Sequence, residues 1–328
     1  MENKIQTKDY SIDNLRALAI LIVVLGHSII LYSHSWNLYT ASNNVEFLDS
    51  LKSIINLIQM PLFFSISGYL YYYSHKHTNF LKLLTKKAKR LLVPYCMIAI
   101  FWMIPIKKIV GYAGFKNKTF IDIFINENGH LWFLPCLFLI FCFTYLLLQI
   151  TNKLNVSEKI SGLILIVVSY FCSYFFYLLP TFLGSEIIRS AFINWIWFSV
   201  GYIMHVYKNR VDIIKSKNIK WIIMIIGLLL SIFLIYNNRF SRITSIILVF
   251  LLYISIPNNT GKIMQFLSKN SFGLYLFHSP LIYLTFTYFS NASPVLVVGL
   301  NFAVFGLVAA VMTVLVRKLK LGFIIGEG

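Results

Sequence analysis

The chain alternates long apolar runs with short polar stretches rich in Lys, Asn and Ser. A helix needs about 20 mostly apolar residues to cross roughly 30 Å of hydrocarbon. Ten segments have that character, near residues 12–33, 51–73, 92–110, 131–150, 160–180, 190–207, 219–236, 243–256, 272–289 and 294–316, the eighth being short. The pattern predicts an all-α, polytopic membrane protein with about ten transmembrane helices. No intervening stretch is long enough to build a soluble domain with its own core. One membrane-embedded domain is therefore expected over 1–328, with its helical core over about 12–316. The opening MENKIQTKDYSIDNL carries acidic residues and no small-residue cleavage site, so the first apolar helix reads as a retained anchor.

Composition excludes a water-soluble protein: 58% of the 328 residues are hydrophobic and 12% charged, and the mean hydropathy is +0.75. The balance of 29 Lys+Arg against 11 Asp+Glu leaves a net charge of +18. On a soluble fold that excess would suggest a nucleic-acid partner. Here the cations lie between apolar runs, where they act as an orientation device, because positive loops stay cytoplasmic. With both termini cytoplasmic, the inner segments hold twenty of the 29 cations and the outer loops and margins eight, among them Lys52, Lys107 and Lys108. Arg16 lies within the first span. Membrane lipid is the expected surrounding, and no nucleic acid is expected. Cys96, Cys136, Cys142 and Cys172 sit inside apolar segments at no ligand spacing, so they read as packing residues and no metal centre is expected.

Ionisable groups inside spans are costly and mark functional candidates. Arg16 and His27 are eleven residues apart, about three helical turns, which puts them on one face of the first helix roughly 16 Å apart along its axis. Asp13 is placed to pair with Arg16. Either the pair has a role, or Arg16 reaches the inner headgroups and His27 is a packing histidine. His130, in ENGHLWFLP, stands near an outer helix end with Trp132 beside it and Glu127 three residues before. It is a candidate site or interfacial decoration. His278 precedes Pro280 in SFGLYLFHSP, as a site residue or as packing. The small residues of QMPLFFSISGY allow close helix approach or line a pocket. Lys86, Lys87, Lys89 and Arg90, in TKKAKRLLVPY, suit anionic lipid or a phosphate-rich soluble ligand. No carboxylate lies near the middle of a span, which leaves histidine as the ready buried base. Nucleotide-loop, zinc-protease and nucleophile-elbow motifs are absent.

DNLRALAILIVVLGHS, MPLFFSISGYL, KRLLVPY, HLWFLP and SFGLYLFHSP, in this order, resemble the signatures of acyltransferase family 3, and the resemblance runs from about residue 9 to 316. DNLRALAI and MPLFFSISGYL are closest to its fucose 4-O-acetylase-like branch. The resemblance implies an integral-membrane enzyme of the bacterial cell membrane that uses cytoplasmic acyl-CoA, usually acetyl-CoA, to acylate a hydroxyl of an envelope carbohydrate or its lipid-linked precursor. It implies His27 as the catalytic histidine and Arg16 as its basic partner. Arg16, Lys86, Lys87, Lys89 and Arg90 are then candidates for the acyl-CoA phosphates, and His130, Trp132, Glu127 and His278 for the acceptor. Direct attack on the thioester and transient acylation of His27 both remain open, and the alternative to an enzyme is an exporter of a small acid or glycan unit.

Overall fold

The structure, a computed structural model, describes residues 10–34, 45–75, 79–111, 129–178, 186–235, 240–289 and 291–327, and among them every regular element is helical. The chain runs through α1 (Tyr10–Ser28), α2 (Glu46–Asn56), α3 (Gln59–His75) and α4 (Phe80–Ile98). A π-helical turn at Ala99–Met103 joins α4 to α5 (Ile104–Ile109), and a 3-10 turn at Gly129–Trp132 leads into α6 (Phe133–Lys153). Next come α7 (Glu158–Leu178), α8 (Glu186–Val206), α9 (Lys208–Ser216), α10 (Ile219–Ile235), α11 (Ser241–Ser255) and α12 (Lys262–Tyr288). Finally α13 (Pro294–Gly299) continues through a π-helical turn at Leu300–Val304 into α14 (Phe305–Lys318), and a 3-10 turn at Gly322–Ile325 closes the described chain.

Over the described residues, all ten predicted segments fall mainly on helices. Among the described residues, seven runs are long and apolar enough to cross a membrane: Tyr10–Ser28, Glu46–Ser74, Phe80–Ile109, Gly129–Lys153, Glu158–Leu178, Glu186–Val206 and Pro294–Lys318. The bent pair α9 and α10, which meet at 101°, would make an eighth if it is one span, and α11, with 15 residues, is shorter than a span. The protein is a multi-pass membrane protein. Two segments start earlier than hydropathy marks them. The 92–110 segment is the end of a helix that begins at Phe80, because the basic stretch before it holds good helix formers and Asn79 caps it, its side chain accepting from the Lys82 N–H at 3.0 Å. The 272–289 segment lies within the 27 residues of α12.

Helix α12 is long enough to span, yet its Ser, Asn, Thr and His residues make it less apolar than those seven runs. These polar groups are tolerated because nearly every residue from Ser268 to Phe286 is buried, chiefly against α1 and α14. Their hydrogen bonds tie distant segments together. Ser268 Oγ donates to Asp13 Oδ1 at 3.0 Å, Thr285 Oγ1 to Asn301 Oδ1 at 2.9 Å, and Asn301 Nδ2 to the Ser28 carbonyl at 3.3 Å. Helix α10 is the reverse case, with Ser231 its one buried residue.

The closest helix pair, α3 with α8, is joined by reciprocal glycines. A Cβ on Gly68 would run into the Phe198 carbonyl, and one on Gly201 into the backbone of Ser65. The small residues of QMPLFFSISGY thus serve both uses foreseen for them: Ser65 and Gly68 admit α8, while Ser67 faces a cavity.

Candidate functional site

Three histidines from separate parts of the chain converge. His27 ends α1, His130 lies in the 3-10 turn before α6, and His278 sits mid-way along α12. The ring centroids of His27 and His278 are 5.1 Å apart, those of His27 and His130 6.2 Å, and those of His130 and His278 5.7 Å. His27 is 9% exposed, His130 4% and His278 1%. Among the described residues no group of three or more His, Cys, Asp or Glu could hold a metal ion.

Hydrogen bonding fixes which nitrogen carries a proton in the rings of His278 and His27. His278 Nδ1 lies 2.8 Å from the Leu274 carbonyl, which only accepts, so Nδ1 of His278 is the donor. In the neutral ring its Nε2 then accepts. That Nε2 is 2.9 Å from His27 Nδ1, so His27 donates there and carries its lone pair on Nε2. A carbonyl, a histidine and a second histidine form a relay in which each member sets the tautomer of the next. The element that supplies it is held from outside: Trp102 Nε1, in the π-helical turn after α4, donates to the Phe277 carbonyl at 3.2 Å. Tyr275 donates its hydroxyl proton to the His130 carbonyl, which ties α12 to the turn bearing that histidine. Nε2 of His130 is buried with no hydrogen-bond partner among the described residues.

His27 and His130 open into a cavity of about 200 Å³, whose other walls include Lys52, Asn56, Gln59, Trp132 and Tyr275. At the opposite end of α1, Arg16 opens into a second cavity of about 270 Å³. Its mouth is cationic: Lys86, Lys87, Arg90 and Lys269 join Arg16, and Glu327 is the carboxylate among them. Asp13 lies 3.9 Å from the Arg16 guanidinium, whose side chain keeps 30% of its surface exposed. Lys87 Nζ stands 3.8 Å over the Phe141 ring, and Glu327 is paired with Arg317 at 2.6 Å. The deeper wall is apolar, with Phe63, Phe133, Leu137 and Tyr275. Tyr275 lines both cavities. One chamber can hold several phosphates above an apolar floor, and the other can abstract a proton. Arg16 and His27 are about 16 Å apart along α1, and the Tyr275 ring is common to the two chambers.

The family model described as an acyltransferase domain matches residues 9–316. The chain belongs to this acyltransferase family. A stretch of 133 residues, 39% of the chain, is also 29% identical to nodulation protein NolL of Sinorhizobium fredii (strain NBRC 101917 / NGR234). That stretch covers 33% of NolL, so the chain spans about a third of the length of this curated relative. No solved structure matches the chain.

Most residues singled out in the acyltransferase sequence are brought together by the fold. His27, His130 and Trp132 line one chamber, and His278 stands directly behind His27. Arg16, Lys86, Lys87 and Arg90 line the other, whereas Lys89 does not. At roughly 100° per residue along α4, Lys86, Arg90 and Lys87 share one flank and Lys89 falls on the next. Glu127 lies outside the described residues. Lys52, Asn56, Lys269 and Tyr275 line the chambers without having been marked as site residues. For Lys52 the sequence signal was Gly26, immediately before His27. A Cβ on Gly26 would come within 2.6 Å of Gln59 Oε1 and 3.1 Å of Lys52 Nζ, so glycine lets both side chains lie against α1 beside His27.

Proposed function

We propose that this acyltransferase is an O-acetyltransferase that moves an acetyl group from cytoplasmic acetyl-CoA to a hydroxyl of an envelope polysaccharide or its lipid-linked precursor, in a bacterial cell membrane. The observation that carries the reading is the pairing, along one helix, of a cationic chamber at Arg16 with a chamber where His27 is held in a fixed tautomer. The distribution of Lys and Arg supports ten spans with both termini, and so the Arg16 chamber, on the cytoplasmic side. Acyl-CoA phosphates cannot enter hydrocarbon, so they stop among Arg16, Lys86, Lys87 and Arg90, and the slim arm continues past Tyr275.

His27 Nε2 accepts the proton of the acceptor hydroxyl as its oxygen attacks the thioester carbonyl. The new C–O bond forms, the C–S bond breaks, and the proton passes to the departing thiolate, giving the ester and free CoA. His278 is a positioning residue, because it keeps the His27 lone pair on Nε2 and supports the imidazolium as it forms. The unpartnered Nε2 of His130 and the face of Trp132 suit a sugar, which offers hydroxyls and an apolar ring face.

The test is transfer of labelled acetyl from acetyl-CoA to the native glycan in membranes from a deletion strain carrying the wild-type or a variant gene. Acetylation that survives His27→Ala, with the variant present at wild-type level, would remove the assignment. Reconstituted protein that moves a small acid or glycan across vesicles, without acetyl transfer, would instead identify an exporter.

A further inference from the structure

The histidine chamber holds a positive charge that the proton relay does not use. Lys52, from α2, is 2% exposed, and among the described residues its Nζ has one hydrogen-bond partner, Gln59 Oε1 at 3.4 Å. Gln59 is itself engaged, its Nε2 donating to Asn56 Oδ1 at 3.0 Å. Among the described residues Lys52 forms no ion pair, and the chamber wall contains no carboxylate. Asp49, one turn earlier on α2, faces elsewhere: it accepts from Ser33 Oγ at 2.7 Å and the His34 N–H at 2.9 Å. A buried ammonium ion without a counter-charge is costly, so a negative charge that develops in the chamber beside His27 is stabilised there.

The geometry points to Lys52 as the group that stabilises the oxyanion on the thioester carbonyl during acyl transfer, with Gln59 and Asn56 as positioning residues that hold its Nζ beside His27. This rests on the reading of His27 as the base. When the acceptor oxygen bonds to the carbonyl carbon, the carbonyl electron pair moves onto oxygen. That oxygen stays anionic until the C–S bond breaks and the pair returns. A cation already desolvated at that point needs no reorganisation to meet the charge, which is the condition under which such groups contribute most to rate. Gly26 makes the approach possible, since a side chain at that position would displace both Gln59 Oε1 and Lys52 Nζ.

The experiment compares Lys52→Met, Lys52→Arg and His27→Ala in membranes with the native glycan, with rates normalised to the quantity of inserted protein and kcat and KM determined for acetyl-CoA. Lys52→Met keeps the length and apolar stem, and its kcat is expected to fall by about 10²–10³-fold with KM for acetyl-CoA within about 3-fold. Lys52→Arg, which restores the charge but not its position, is expected to recover about tenfold of that loss. A purely structural role would lower the amount of protein and leave kcat per molecule unchanged, and that outcome overturns the proposal. So does an effect confined to KM, which would mean an anion bound in the ground state. If Lys52→Met does not accumulate, the Arg variant decides alone: full kcat overturns the inference, and reduced kcat at unchanged KM supports it. Retained transfer in His27→Ala would bring down the underlying function; a dead His27→Ala beside a normal Lys52→Met would bring down this inference only.

Discussion

Arg16 and His27 share one helix and one sequence motif, yet the chambers they line are built on different principles. Around Arg16 the cations sit on long side chains, several of them exposed, and no single one is indispensable to the field they make together. Around His27 the rings are buried, and those of His27 and His278 are each fixed by a named hydrogen bond. Holding phosphates in partly aqueous surroundings tolerates redundancy, because the charges add. Moving one proton does not, because the lone pair must be on one atom and point in one direction. Substitutions should therefore be steep in their effect on one side of Tyr275 and shallow on the other.

The steepest expected effect is that of His27→Ala, a loss of about 10³-fold or more in acetyl transfer at unchanged protein level, combining the lost base with its geometry. A smaller loss would mean that the chamber contributes mainly by positioning. His278→Phe preserves ring volume but leaves the His27 Nδ1–H without its acceptor. It is expected to lower kcat by about 10–10²-fold while KM for acetyl-CoA stays constant, and an altered KM would break the separation between the chambers. On the other side, Arg16→Ala should raise KM for acetyl-CoA by about tenfold, some 1.4 kcal/mol of binding, with kcat little changed. That KM should climb with ionic strength in the wild type too, as it does for exposed charges. Lys89→Ala should be the weakest, within about 2-fold on both constants, because its side chain lies outside the chamber. An effect equal to that of Arg16→Ala would show that the cationic chamber acts through its overall field rather than through contact.

The long apolar helices were legible because a helix that crosses lipid must satisfy it on an outer face, and that requirement is written in hydropathy. Legibility failed where it was relaxed. The first turns of α12 are exposed and carry Lys262, Gln265 and Lys269, and from Ser268 onward protein encloses its Ser, Asn and His, so its apolar run starts only near residue 272. The site divided in the same way. Arg16 and His27 could be read from their spacing on one helix, since that depends only on helix geometry. The bond between His27 and His278 joins residues 251 apart and depends on how α12 is seated. Lys52 looked like an outer-margin cation, and it is the missing side chain at Gly26 that admits it to the chamber. Lys89 could not be told from its neighbours until the flank of α4 facing the chamber was known.

The polar character of α12 also bears on how the protein is made. A helix too weakly apolar to be held by lipid alone needs protein partners at the moment it leaves the insertion machinery. Its partner α1 is synthesised some 250 residues earlier, and Asn14 there bonds the Pro257 and Asn259 carbonyls just ahead of α12 at 3.0 and 2.8 Å. The first helix must therefore wait with an unmatched face until nearly the whole chain has emerged. The histidine relay is completed only by that late docking, so a chain arrested before α12 would have an anchored His27 with no neighbour to orient it.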